Sequence, residues 1–233
     1  ADFKERRHRT ADGGNLRAAV FGVNDGLVSN ASLILGVAGA GTEPALIVLS
    51  GAAGLLAGAL SMAAGEYVSV RAQKEFFEYQ IGLEREELKQ YPKEEAAELA
   101  LIYTAKGVPR EEAQRMAERL ISDPDKALDT LAREELGLNP EELGSPLGAA
   151  ISSFLAFAVG AAIPLAPYLL LSGETALTGT ILVTAVSLFG VGSALSLFTG
   201  RPAWQGGLRM LAIGGGAGLL TWLIGRALGV ALG

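Results

Sequence analysis

Long apolar runs alternate with one long polar block along this chain of 233 residues. The apolar runs cover residues 18–40, 45–70, 147–171, 176–198 and 210–230. Each run is long enough to cross the roughly 30 Å hydrocarbon core of a bilayer as an α-helix, which rises about 1.5 Å per residue. The pattern therefore predicts an all-α membrane protein with five transmembrane helices.

The polar block lies between the second and third apolar runs and holds most of the charged residues. Pro92, Pro109 and Pro124 each suit the first turn of a helix, and no helix breaker separates the second apolar run from Pro92. These signals predict a domain of three to four helices inserted between the second and third spans, with its first helix continuing the second span. We therefore expect three parts: a tail with two spans at residues 1–70, the helical domain at 71–145, and three spans at 146–233.

Charge is segregated along the chain, and its distribution predicts the orientation in the membrane. Nearly all of the 19 Lys and Arg residues fall in the N-terminal tail, the polar block and the last loop. By the positive-inside rule, the N-terminus and the polar domain lie in the cytoplasm and the C-terminus lies outside. The basic residues are interleaved with 25 acidic ones, which argues against nucleic-acid binding. The chain has no cysteine, which excludes disulfides, thiolate metal sites and cysteine nucleophiles.

A carboxylate, Asp25, interrupts the first apolar run. An ionised side chain in the middle of a bilayer costs about 2.5–3.5 kcal/mol, so Asp25 is expected to face a protein interior or an aqueous path. Ser29 and Asn30 follow about one turn later, which favours a pathway residue over a packing hydrogen bond. Met62 and Glu66, one turn apart on the second run, share a helix face and are further candidate ligands. A lone methionine is more often a packing residue.

Four glutamates of the polar block fall into two pairs with helical spacing: Glu84 with Glu87, and Glu95 with Glu98. Residues three apart share a helix face, so the pairs converge if the two helices fold back antiparallel, and Glu135 adds a fifth carboxylate. Converging carboxylates need a cation, and oxygen ligands suit Mg²⁺, Mn²⁺, Ca²⁺ and Fe²⁺. The alternative is a solvated face held by weak pairs with Lys and Arg. The spacing alone leaves both interpretations open.

Several segments, taken in order, resemble the vacuolar iron transporter (VIT) family. They are GVNDGLVSN at residues 22–30, SMAAGEYVS at 61–69, the Glu-rich block, ELGL at 135–138, and the later PLAPY and FTGRP. Members of that family have five membrane helices and a cytoplasmic metal-binding domain, and they form dimers that exchange Fe²⁺ for protons. The resemblance implies a membrane path lined by Asp25 and Met62. It also implies a metal site in the domain, formed by Glu84, Glu87, Glu95, Glu98 and Glu135.

The expected function is therefore proton-coupled export of Fe²⁺ from the cytosol, with no enzymatic activity and no prosthetic group. The expected partners are divalent metal ions, protons, the lipid bilayer and a second copy of the chain, which makes a homodimer. Plant members have a methionine pair where this chain has Leu131 and Ala132, so the domain site lacks sulfur and discriminates less between Fe²⁺ and Mn²⁺. The alternatives are a Mn²⁺ or broad divalent-cation exporter, a membrane-anchored ferroxidase and a metal sensor. The host membrane is the plasma membrane in a prokaryote and a vacuole-like membrane in a eukaryote.

Overall fold

The computed structural model describes residues 13–137 and 144–232, and no strand occurs among them. Five of their helices contain segments long and apolar enough to cross a membrane. This confirms an all-helical protein with five candidate spans. The helices are α1 (Gly13–Gly39), α2 (Pro44–Gln90), α3 (Pro92–Ala105), α4 (Arg110–Ile121), α5 (Pro124–Glu134), α6 (Pro146–Leu170), α7 (Glu174–Thr199) and α8 (Ala203–Leu232).

Proline and glycine mark the ends of the shorter helices. Pro92 and Pro124 open α3 and α5, while Pro109 stands one residue before α4, which begins at Arg110 rather than at the proline. Gly107 and Gly137 follow α3 and α5 with φ of 97° and 64°, a left-handed conformation that glycine adopts without strain. Local chemistry therefore sets the ends of these helices.

Helix α2 is the longest element, with 47 residues. No proline or helix-ending glycine interrupts it, so the apolar run and the polar sequence that follows form one continuous helix, as predicted. At about 1.5 Å per residue the helix is roughly 70 Å long, more than twice the hydrocarbon thickness of a bilayer. Only its apolar N-terminal half fits within a membrane.

The chain divides into two compact units, Ala1–Glu66 with Leu147–Gly233, and Tyr67–Pro146. Helix α2 contributes residues to both. Leu131 and Ala132 of the second unit are fully buried, and Leu131 belongs to its hydrophobic core. The other buried members of this core come from α3 and α4: Leu99, Ala100, Ala113 and Ala117.

Glycines allow close packing of α2 against its neighbours in the first unit. A Cβ atom at Gly58 would collide with the ring of Phe157 on α6, and one at Gly54 would lie 2.8 Å from Oδ1 of Asn30 on α1. The absence of a side chain at these two glycines therefore allows α2 to pack closely against α6 and α1.

Hydrogen bonds also hold α6, which contains Pro164 and Pro167, against two other helices. Nδ2 of Asn30 donates to the carbonyl of Ala161 at 2.7 Å, and Oγ1 of Thr180 on α7 donates to the carbonyl of Pro164 at 3.0 Å. Both bonds are buried. They attach α1 and α7 to backbone carbonyls of α6 close to its two prolines.

Candidate metal sites

Three glutamates converge in the second unit. Glu84 comes from α2, Glu95 from α3, and Glu135 follows the last residue of α5. One carboxylate oxygen from each lies within 4.8 Å of the others. Glu84 and Glu95 are only 4% and 6% exposed. Tyr91 alone separates α2 from α3, so the reversal of the chain at this residue brings the first two carboxylates together.

The spacing of these oxygens suits one cation. Divalent ions bind oxygen at about 2.0–2.6 Å, so two ligands on opposite sides of one ion lie about 4.0–5.2 Å apart. Glu87 and Glu98, the other members of the predicted set, are exposed. The structure therefore places three of the five predicted ligands within reach of a single ion: the buried Glu84 and Glu95 and the exposed Glu135.

Burial and the charges of nearby carboxylates raise the pKa values of the three converging carboxyl groups, while a hydrogen bond with Glu84 lowers that of Glu95 in part. Burial, followed by the charges of Glu135 and Glu95, raises the pKa of Glu84 to about 8. Burial is also the main cause of the raised pKa of Glu95 and of Glu135. The charge of Glu87 acts on all three groups and that of Glu98 on Glu95 and Glu135. All five predicted ligands are thus electrostatically linked, and protonation relieves part of the repulsion.

The other acidic side chains of this unit behave differently, because many of them pair with a cation. The recorded pairs are Arg71–Glu75, Lys74–Glu78, Lys106–Glu134, Lys126–Asp123 and Arg133–Asp129. Within the described ranges, none of the five clustered glutamates pairs with Lys or Arg. Oε1 of Glu84 is buried and finds no hydrogen-bond partner in the part of the chain that the structure describes. A solvated face held by ion pairs does not account for this arrangement.

A second candidate site lies among the candidate membrane helices of the first unit. A cavity of about 340 Å³ is lined by Asp25 and Ser29 of α1, Met62 of α2 and Phe157 of α6, among others. Asp25 and Ser29 are exposed on the single chain, and Oγ of Ser29 donates to the backbone carbonyl of Asp25 at 2.6 Å. Glu66 is half-buried and does not line this cavity. The structure thus brings together two of the three predicted path residues.

Asn30 is a polar neighbour of Asp25 in the sequence, but it is not among the predicted site residues. In the structure Asn30 is 2% exposed and lines the same cavity as Asp25 and Met62. The available signal was an amide within an apolar run, five residues beyond a carboxylate.

The described residues contain five candidate spans, a carboxylate in the first span, and a cluster of glutamates in a separate helical unit that pair there with no Lys or Arg. These features define an integral membrane protein with candidate cation sites. Residues 16–226 match the model of the VIT family, and the chain belongs to this family. The resemblance drawn from its sequence motifs is confirmed.

Relatives of known name match the chain over most of its length. It is 31% identical over 214 residues to vacuolar iron transporter 1 of Arabidopsis thaliana, covering 91% of this chain and 85% of the relative. It is 35% identical over 233 residues to the vacuolar iron transporter of Acanthamoeba castellanii, covering 94% and 84%. It is 32% identical over 235 residues to that of Plasmodium falciparum, covering 97% and 86%. These names describe transporters, which agrees with the prediction of no enzymatic activity.

Proposed function

We propose that this protein exports Fe²⁺ from the cytosol in exchange for protons. The observation that carries the proposal is the presence of two acidic candidate sites in one chain, one among the candidate spans and one in the polar helical unit. A carboxylate within an apolar helix costs energy in lipid and contributes nothing to a protein that acts only as a scaffold. The names of the relatives, vacuolar iron transporters, support Fe²⁺ as the cargo.

The glutamate cluster collects the metal. Glu84, Glu95 and Glu135 are the direct ligands, and the exposed Glu87 and Glu98 attract the cation electrostatically. In the absence of metal, the raised pKa of Glu84 keeps a proton in the cluster at neutral pH. Metal binding displaces this proton, so that the affinity falls as the solution becomes more acidic.

The cavity between α1, α2 and α6 forms part of the membrane path. Asp25 is the coupling residue, because a metal ion and a proton compete for its carboxylate. Met62 offers a thioether, a softer ligand that suits Fe²⁺ better than Mg²⁺ or Ca²⁺. Glu66, one turn beyond Met62, receives the ion from the cytosolic side before it reaches the cavity.

The N-terminus and the glutamate unit lie in the cytoplasm, in keeping with the positive-inside rule. A second copy of the chain covers Asp25 in a homodimer. Asp25 is exposed on the single chain, and an ionised carboxylate that faces lipid costs about 2.5–3.5 kcal/mol. The host membrane is the plasma membrane in a prokaryote or a vacuole-like membrane in a eukaryote.

Proteoliposomes of the purified protein test this function. Under anaerobic conditions and an imposed pH gradient, Fe²⁺ uptake should accompany a pH change reported by a trapped dye. Asp25→Asn should abolish metal-coupled proton movement. Glu43→Gln, which neutralises an exposed carboxylate in the turn between α1 and α2, is the matched control and should transport normally. Proton-coupled flux that survives in Asp25→Asn would contradict the proposed coupling.

The second candidate cargo is Mn²⁺, with or without other divalent ions. Its support is the position of Leu131 and Ala132, which are fully buried and provide no thioether to the glutamate cluster. An all-oxygen site discriminates weakly between Fe²⁺ and Mn²⁺. The ratio of the two initial uptake rates decides between the cargoes. A ratio near one supports a broad exporter, and a large excess of Fe²⁺ uptake contradicts it.

A further inference from the structure

The side-chain amide of Asn30 has a fixed orientation. Its Nδ2 donates to the carbonyl of Ala161, 2.7 Å away on α6. A backbone carbonyl can only accept, so it selects the NH₂ group, and the amide oxygen must point in another direction. Asn30 is 2% exposed, which leaves the side chain little freedom to turn. The neighbouring helix thereby determines where Oδ1 points.

That oxygen has no hydrogen-bond partner in the described structure, although it is buried. Leaving a buried acceptor unsatisfied costs about 1–3 kcal/mol. Asn30 lines the cavity that also contains Asp25 and Met62. Opposite it stands Gly54, where a Cβ atom would lie 2.8 Å from Oδ1. The absence of a side chain at Gly54 therefore keeps space open in front of this acceptor.

We propose that Oδ1 of Asn30 is a ligand for a divalent cation in this cavity, together with Asp25 and Met62. The inference rests on the proposed transport function and adds a binding residue to it. An amide oxygen is a hard, neutral ligand that suits Fe²⁺ and Mn²⁺, and it does not titrate at physiological pH. Asp25 binds either a proton or a metal ion, whereas Asn30 favours the metal ion alone. Asn30 thus shifts the competition towards metal without changing the number of protons exchanged.

Three variants separate a ligand role from a structural role. Asn30→Leu removes both the oxygen and the bond to α6. Asn30→Asp keeps an oxygen at this position but, when ionised, loses the bond to the carbonyl of Ala161, and it adds a second titratable carboxylate beside Asp25. Thr180→Val is the matched control, because it removes an equivalent buried bond to a carbonyl of α6 from a residue outside the cavity.

In proteoliposomes, Asn30→Leu should raise the KM for Fe²⁺ at least about tenfold, because it removes a bond to a charged group. Thr180→Val should not raise the KM. Asn30→Asp should retain metal uptake and increase the number of protons exchanged per metal ion by up to one. An unchanged KM in Asn30→Leu, or equal losses in Asn30→Leu and Thr180→Val, would overturn the assignment.

A binding measurement separates this inference from the transport proposal. The background is the full-length protein in detergent with Glu84, Glu95 and Glu135 replaced by Gln, which silences the other candidate site. Titration with Mn²⁺, followed by electron paramagnetic resonance, should show a site that weakens at least about tenfold in Asn30→Leu and persists in Thr180→Val. If this site is found but wild-type protein moves no metal, the transport proposal fails and the Asn30 site stands. If Asn30→Leu binds Mn²⁺ like its background, the Asn30 site is refuted even where wild-type transport is proton-coupled.

Discussion

Within the glutamate cluster, Glu84 is the residue whose replacement should most change the number of protons released when a metal ion binds. Its carboxyl group is buried, faces Glu95 and Glu135, and has a pKa raised to about 8. At pH 6.5 about 97% of a group with this pKa is protonated, so a metal ion must displace close to one proton from Glu84 alone. Glu84→Gln is nearly isosteric and has no proton to release.

The size of the pH effect on metal affinity follows from the difference between the working pH and the pKa of Glu84. Well below a pKa of about 8, each pH unit weakens metal binding about tenfold for one displaced proton, or about 1.4 kcal/mol. At pH 8 Glu84 is already about half protonated, so the wild-type affinity should fall about 16-fold between pH 8 and pH 6.5 on account of Glu84. Glu84→Gln should bind more weakly at pH 8, because it lacks the carboxylate, and should lose this part of the pH dependence.

Calorimetric titration of the full-length protein with Mn²⁺ measures the effect. Titrations at pH 6.5 in buffers with different ionisation enthalpies give the number of protons released per bound ion. That number should be lower by about one in Glu84→Gln than in wild type. Glu86→Gln is the control, since Glu86 is exposed two residues further along the same helix. Equal proton release from wild type and Glu84→Gln, or an equal decrease in Glu86→Gln, would refute the reasoning.

Three further predictions concern stability and selectivity. The free energy of unfolding of the metal-free wild type should fall as pH rises from about 4.5 to about 8. In this window the folded protein keeps the proton of Glu84 while the unfolded chain releases it, and the loss is at most on the order of 5 kcal/mol. It should appear as a Tm that falls more steeply with pH in wild type than in Glu84→Gln, and parallel curves would argue against it. Gly58→Ala should lower the Tm, since overpacking costs about 1–3 kcal/mol, while Gly65→Ala, whose Cβ meets no atom within 4 Å, should not. Similar Tm values for these two variants would contradict the close packing. Leu131→Met should fold normally and raise the preference for Fe²⁺ over Mn²⁺ in competition binding, because it adds a thioether. Ala132→Met should instead lower the Tm, because it enlarges a fully buried residue. An unchanged preference in Leu131→Met would show that a thioether at this position does not reach the metal.

The spans and the ends of the shorter helices could be predicted from sequence because local chemistry determines them. A continuous apolar run of twenty residues has one stable form in a bilayer, since lipid cannot satisfy an open backbone. Pro92 and Gly107 restrict the backbone where they stand and need no distant partner. Five spans and the bounds of α3 therefore follow from short stretches of sequence.

Side-chain environments could not be predicted in the same way, because they depend on partners far along the chain. Glu84 and Glu87 share a helix face by spacing, yet Glu84 is buried and Glu87 is exposed. Met62 lines the cavity while Glu66, one turn away, does not. The orientation of Asn30 depends on a carbonyl 131 residues further along. Helical periodicity identifies a face but not which part of it another helix covers.

Because the clustered glutamates have no cationic partner among the described residues, the stability of the protein in a cell should depend on bound metal. A ligand that binds only the folded state adds stability by mass action, about 2.7 kcal/mol at a concentration one hundred times its dissociation constant. Metal-free protein carries the repulsion between Glu84, Glu95 and Glu135 without this gain. A change of one to two kcal/mol is enough to alter cellular abundance several-fold through proteolysis. The amount of this protein should therefore rise and fall with the metal supply, even at a constant rate of synthesis.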